Sequence, residues 1–245
     1  MRIVAVVILL FSLPARAVEW PEANPQRPSF SSNAAPTVPG ALELETGVAV
    51  SRARGADEHG VEVPTSLKVG LTPWIGVTVE TAAALNGDAG LTHLGLAVKL
   101  TARQPEDRTL GLALSLSGAP PPPVGEDAWG AVAALIATYA WDDFEIDANV
   151  VLDATFPAVG DTALVVAPVA TFCFPIAGEL GGYGEAHVEI PTDGGDPAAV
   201  VAAGLGYTIA KNVVVDAAVD VGLNDAAPAY VIQAGLTVSM FAWHP

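Results

Sequence analysis

The residues of this chain that could take part in chemistry are mainly carboxylates. The sequence holds 27 Asp and Glu residues against 10 Lys and Arg, which gives a formal net charge of −17. Many of the acids recur at even spacings within apolar segments, as Glu43 and Glu45 do, and as Asp216 and Asp220 do. Side chains alternate between the two faces of a β-strand, so even spacing puts these acids on one face. We expect a negative polar face that attracts cations and repels polyanions such as nucleic acids.

Other reactive side chains are few. The sequence has four histidines and one cysteine, Cys173, so no internal disulfide can form. His93 and His187 fall in different predicted strands, and neither belongs to a motif with a nucleophile. Glu185, His187 and Glu189 share one face of one strand, but a single strand encircles a metal ion poorly. We therefore predict no enzymatic activity, no cofactor and no metal site.

The elements that must position the carboxylates are short segments with period-2 hydrophobicity, separated by turn residues. The alternation predicts about twelve β-strands. Segment 128–141 is apolar on both faces, so a helix is the alternative there. The twelve segments are residues 41–53, 61–71, 75–81, 93–101, 110–117, 128–141, 144–156, 164–174, 179–190, 204–209, 213–223 and 230–240.

The length of these segments favours a membrane-spanning sheet. Strands that cross a bilayer need about 9–11 residues, whereas strands of soluble sheets have a mode of about 5–6. The chain is 51% hydrophobic, yet after the N-terminus it has no apolar run of about 18 residues, which excludes a helical membrane protein. Aromatic residues fall near the predicted strand ends, where interfacial girdles belong. They are Trp74, Trp129, Tyr139, Trp141, Phe156, Tyr207, Tyr230, Phe241 and Trp243.

We predict an all-β fold: a transmembrane, antiparallel, up-and-down β-barrel of about twelve strands, in which the apolar face meets lipid and the polar face lines the lumen. A secreted, soluble, acidic β-sandwich is the alternative, because alternation alone does not say which face meets water. In the barrel, eleven residues are candidates for setting the selectivity of the lumen: Glu43, Glu45, Glu80, Glu145, Asp147, Asp153, Glu185, Asp216, Asp220, Lys68 and Lys99. Glu179 and Glu189 are expected to face inward with them.

The N-terminus reads as a targeting segment followed by an arm. Residues 1–17 combine Arg2, an apolar stretch, Pro14 and the small-x-small motif Ala15-Arg16-Ala17, which predicts a cleaved secretory signal peptide. Residues 18–40 contain five prolines and several Ser and Asn residues, and they predict an extended, flexible N-terminal arm. Residues 41–245 form the predicted barrel. Whether the arm enters the lumen is left open.

Motifs at both ends of the chain resemble those of a known family. The first set is Arg27-Pro28-Ser29-Phe30, Thr37-Val38-Pro39-Gly40 and residues 42–47. The second set is residues 219–228 with Tyr230 and Ala234-Gly235-Leu236, and residues 63–80 are loosely similar. These residues resemble the bacterial outer-membrane family labelled "meta-pathway of phenol degradation", also called transporter. Ala229 stands where that family has Asp, and Met240 stands where it has a terminal aromatic residue, which Phe241 follows.

The resemblance implies a bacterial outer-membrane localisation and a transport role. We expect a monomeric passive channel or transporter for a small solute, which the family label suggests is hydrophobic or aromatic. The expected partners are outer-membrane lipid, the solute and the barrel-insertion machinery, which reads the C-terminal aromatic residue. The alternative to a channel is a non-conducting structural or surface barrel. The sequence gives neither the solute nor the openness of the lumen.

Overall fold

A computed structural model describes residues 20–125 and 127–242 of the chain, without the side chains of Phe241 and Ala242. The predicted signal peptide, residues 1–17, and the predicted girdle residue Trp243 lie outside these residues. Among the described residues, no helix is long and apolar enough to cross a membrane.

Twelve antiparallel strands form one closed barrel, in which each strand pairs with its neighbours in sequence and the first pairs with the last. The strands are β1 (Ala41–Arg52), β2 (Gly60–Thr72), β3 (Ile75–Ala84), β4 (Gly90–Arg103), β5 (Leu110–Ala119), β6 (Ala128–Trp141), β7 (Phe144–Pro157), β8 (Ala163–Ala177), β9 (Leu180–Pro191), β10 (Ala198–Ala210), β11 (Val213–Gly222) and β12 (Tyr230–Ala242). The predicted all-β, up-and-down barrel of twelve strands is confirmed. The β-sandwich alternative is wrong, because the sheet closes on itself and has no second layer.

Segment 128–141 is a strand, and its helix alternative is wrong. All fourteen residues of β6 pair with β7, from Ala128 opposite Pro157 to Trp141 opposite Phe144. The two-residue turn Asp142-Asp143 joins the two strands, and Asp142 has a φ of 52° there. A short turn of this kind requires the flanking segments to run antiparallel side by side, which a helix cannot do.

The two ends of the barrel differ in the length of their connections. Residues 73–74, 142–143, 178–179 and 211–212 make two-residue turns at one end, together with the longer connection 104–109. The opposite end carries the connections 53–59, 85–89, 120–127, 158–162, 192–197 and 223–229, which have five to eight residues. We call these the short-turn end and the long-loop end. The arm joins β1 at the short-turn end, and β12 ends there, because Ala41 pairs with Ala242.

The polarity of the barrel is inverted relative to a water-soluble domain. Its outer face exposes many large apolar side chains, among them Leu135 at 64%, Ile209 at 60% and Leu96 at 54%. Its interior buries charged side chains, including Glu43, Glu45 and Lys68. Soluble monomers rarely expose an apolar patch of more than about a few hundred Å². The outer face therefore requires an apolar environment.

Aromatic side chains are concentrated in one sector at the short-turn end of this outer face. Tyr139, Trp141, Phe144, Phe172 and Phe174 of β6, β7 and β8 form a continuous ladder with neighbouring ring centroids 5.7–6.1 Å apart. Rings with this placement are typical of the level of lipid headgroups.

Candidate functional site

The N-terminal arm, residues 20–40, lies inside the barrel. It starts at the short-turn end, where the Ala23 amide donates to the carbonyl of Lys211 at 3.1 Å. It rises to Phe30, which stacks on the His187 ring with centroids 4.4 Å apart, and then turns back. Gly70 of β2 allows the return, because a Cβ there would overlap the carbonyls of Thr37 and Val38. The arm thus crosses the short-turn half of the lumen and reaches past its middle, where the Pro28 carbonyl accepts from Gln233 at 3.4 Å. The flexibility expected of it stays a prediction.

Three wall carboxylates accept hydrogen bonds from the arm. Glu43 accepts from the Asn24 amide at 2.6 Å, and Glu45 accepts from the Gln26 amide at 2.7 Å. Glu185 accepts from the backbone amides of residues 30 and 31 at 3.1 and 3.0 Å, and from the hydroxyl of Ser29 at 2.5 Å. Hydrogen bonds to an ionised acceptor are about twice as strong as neutral ones. These acids hold the arm in addition to setting the charge of the lumen.

Both lysines of the wall also donate hydrogen bonds to the arm. The Lys68 ammonium lies 2.5 Å from a Glu43 carboxylate oxygen and 2.6 Å from one of Glu45, and it donates to the Asn24 carbonyl at 2.7 Å. The Lys99 ammonium donates to the Ser32 hydroxyl at 2.7 Å and to the Asn33 carbonyl at 2.8 Å. The positive charge of the wall is therefore confined to the part of the lumen that the arm fills.

Small polar residues that belong to no sequence motif complete the contact between the arm and the wall. Thr138 accepts from the Ala34 amide at 2.8 Å and donates to Asp147 at 2.5 Å, while Thr101 donates to the Ala34 carbonyl at 2.7 Å. The hydroxyls of Thr171 and Ser31 are 2.7 Å apart. Their only sequence signal is that they are polar residues at inward positions. The lumen of any barrel carries many such residues, so this signal does not distinguish them.

A cavity of about 540 Å³, which we call the vestibule, lies above the arm toward the long-loop end. Glu80, His93 and Asp153 line it, and Lys99 lies at its floor. A neighbouring cavity of about 330 Å³, which we count as part of the vestibule, is lined by His187, Glu189 and Asp220. Within the described residues, none of these four carboxylates has a Lys or Arg nitrogen within 4.0 Å. The cavities toward the long-loop end are therefore lined by carboxylates that have no Lys or Arg counter-ion among the described residues.

The predicted lumen residues thus separate into three groups. Those that contact the arm or bracket Lys68 are Glu43, Glu45, Glu185, Lys68 and Lys99. Those that line the cavities toward the long-loop end are Glu80, Asp153 and Asp220. The remaining three are Glu145, Asp147 and Asp216, of which Glu145 and Asp147 place oxygen atoms within 4.8 Å of each other and of the Cys173 sulfur. Asp147 is held there by Thr138, and Asp216 is 7% exposed with neither oxygen hydrogen-bonded among the described residues.

Comparisons with known proteins identify the fold. No family model matches the chain, and no curated protein matches it. The COG4313 outer membrane channel from Pseudomonas putida F1 is 12% identical, with 89% of this chain and all of that chain covered and a TM-score of 0.60. The KdgM porin in complex with disordered oligogalacturonate is 10% identical, with 82% and 99% covered and a TM-score of 0.59.

These likenesses place the chain among proteins with the fold of outer-membrane channels and porins. At 10–12% identity, these likenesses show the fold of the chain but give no information on its solute. The resemblance to the "meta-pathway of phenol degradation" family stays a prediction, since no family model matches.

Proposed function

We propose that this protein is a bacterial outer-membrane channel for the passive passage of small solutes, narrowed by its own N-terminal arm. The observation that carries the proposal is the closed barrel with an exposed apolar outer face and a charged interior. A closed barrel pairs every strand edge, which is what a bilayer demands of a sheet. The likeness to the COG4313 channel and the KdgM porin supports the same conclusion.

The proposal includes an orientation and an assembly state. Outer-membrane barrels have short periplasmic turns and longer extracellular loops. The short-turn end and the arm therefore face the periplasm, and the vestibule opens to the outside. The proposed partners are outer-membrane lipid and the insertion machinery, and the proposed assembly state is a monomer. The predicted signal peptide provides the export route.

The vestibule gives the channel a preference for cations. Glu80, Asp153, Glu189 and Asp220 have no Lys or Arg partner among the described residues, so their field concentrates cations at the outer entrance. Glu43 and Glu45 contribute less, because Lys68 lies between them. The preference for a hydrophobic or aromatic solute, which the family resemblance implies, stays a prediction.

Charge reversal at two of these acids should shift the ion selectivity toward anions. We expect the folded full-length barrel to give small, cation-selective current steps in planar bilayers under a salt gradient. Asp153→Lys combined with Asp220→Lys should shift the reversal potential toward the anion side, because the two changes together make the charge of the entrance more positive by about four units. The control, Asp88→Lys with Asp161→Lys, makes the same change in exposed loops and should shift it less.

A non-conducting structural barrel is the second candidate, and the arm in the lumen is the observation that favours it. The same recordings separate the two. A folded, inserted full-length protein that never gives current steps would favour the structural barrel. Steps with unchanged selectivity in the Asp153→Lys and Asp220→Lys variant would contradict the role of the vestibule acids.

A further inference from the structure

Arg27 is the only basic residue of the arm, and it lies against a pair of glycines in the wall. Gly47 of β1 is paired with Gly235 of β12, and Gly235 is paired with Asp216 of β11. A Cβ at Gly47 would lie 2.7 Å from the Arg27 Nη2 and 2.9 Å from its Cζ. The absence of a side chain at Gly47 thus provides a flat shelf for a planar guanidinium group.

Asp216 closes one side of this shelf. A Cβ at Gly235 would lie 3.0 and 3.1 Å from the two Asp216 carboxylate oxygens, so the carboxylate borders the glycine pair directly. Asp216 is 7% exposed, and both of its oxygens lack a hydrogen-bond partner among the described residues. An ionised carboxylate buried without donors is costly unless a cation compensates it.

Arg27 occupies this site but forms few hydrogen bonds there. Arg27 donates one long hydrogen bond, from Nη1 to the Pro64 carbonyl at 3.5 Å, while Nε and Nη2 are buried without partners. Within the described residues it forms no ion pair with an N–O distance of 4.0 Å or less. A guanidinium prefers two parallel hydrogen bonds to a carboxylate, and Arg27 makes none to Asp216. Arg27 and Asp216 line one cavity of about 350 Å³, from which a free molecule can approach the carboxylate.

We propose that the shelf of Gly47 and Gly235 beside Asp216 is a binding site for the guanidinium group of small cationic solutes, which Arg27 of the arm occupies in their place. The proposed channel brings such solutes into the lumen, and to that extent the inference rests on the proposed channel function. Binding to the site does not depend on conduction.

Removing the resident guanidinium should expose the site. We expect the folded full-length Arg27→Ala barrel to bind methylguanidinium at least tenfold more tightly than the wild type in isothermal titration calorimetry. Arg27→Lys should keep the wild-type affinity, because an ammonium still neutralises Asp216. Tetramethylammonium, which has the same charge and no donors, should show no gain.

The gain must depend on Asp216. Arg27→Ala with Asp216→Asn should return to the wild-type affinity, whereas Arg27→Ala with Asp161→Asn, a change in an exposed loop, should keep the gain. Folding of each variant is checked by its heat-shifted band, and Asp216→Ser replaces Asp216→Asn if the latter does not fold. An Arg27→Ala barrel without tighter binding, or a gain that survives loss of the Asp216 carboxylate, contradicts the site. A barrel that binds methylguanidinium more tightly but passes no current contradicts the proposed channel function and leaves the binding site supported.

Discussion

Deleting residues 21–36 of the arm should raise the single-channel conductance several-fold. A twelve-stranded barrel lies between the filled eight-stranded case and the aqueous sixteen-stranded porins, so its lumen is wide enough for water once it is emptied. The arm crosses that lumen and is held by Glu43, Glu45 and Glu185. The deletion leaves β1 and its pairing to β12 intact. Planar-bilayer recording of the deleted and full-length proteins in the same salt is the measurement.

A second variant tests whether the volume of the arm or its contacts with the wall limits the conductance. Replacing residues 21–36 by a Gly-Ser segment of equal length, with Gly at positions 29 and 31, keeps a chain in place but removes the hydroxyl contacts that Ser29 and Ser31 make with the wall. We expect fluctuating currents between the full-length and the deleted levels. Equal conductance in all three proteins, each folded and inserted, would show that the arm does not limit the pore.

Replacing Lys68 by Met should cost about 3–5 kcal/mol in the free energy of unfolding, the range seen when one partner of a buried ion pair is removed. The Lys68 side chain is 4% exposed and lies between Glu43, at 0%, and Glu45, at 3%. Without the ammonium, two buried carboxylates face each other with no cation between them. Urea unfolding of the barrel in lipid vesicles, followed by tryptophan fluorescence, measures the difference.

Two control variants show whether charge is the cause. Lys68→Met combined with Glu43→Gln and Glu45→Gln removes the uncompensated carboxylates and should recover most of the lost stability. Lys211→Met deletes a lysine that is exposed in a short turn and should change stability by less than about 0.5 kcal/mol. A loss in Lys68→Met no larger than that in Lys211→Met would contradict the buried ion-pair network.

The strands of this fold were predictable because their hydrophobicity has a period of two and short turns separate them. The weakest predictions fell where that period is absent. β6 is apolar on both faces because the inward positions Ala134 and Ile136 face the arm, and the core there includes Ala34. The start of β10 was missed for a similar reason: residues 198–203 read Ala-Ala-Val-Val-Ala-Ala, which shows neither a period of two nor a polar face. Pairing with β9 and β11 decides the structure there.

The candidate site was predictable only as a set of inward carboxylates. Alternation indicated which side chains share the lumen face, but it carries no information on what else occupies the lumen. The arm has no periodicity, and its contacts join backbone amides of residues 24, 26, 30 and 31 to wall carboxylates. Backbone groups are the same in every residue, so these contacts leave no trace in the sequence. The separation of arm-bound acids from vestibule acids follows from the arm and was therefore not foreseen.

Fractionation of expressing cells, combined with a heat-shift gel, tests whether the apolar outer face meets lipid. We expect the full-length protein to be in the outer membrane, to resist urea extraction, and to migrate differently before and after boiling, as folded outer-membrane barrels do. A urea-extractable protein that migrates identically before and after boiling would contradict this expectation, since the apolar outer face would then be covered by something other than a membrane.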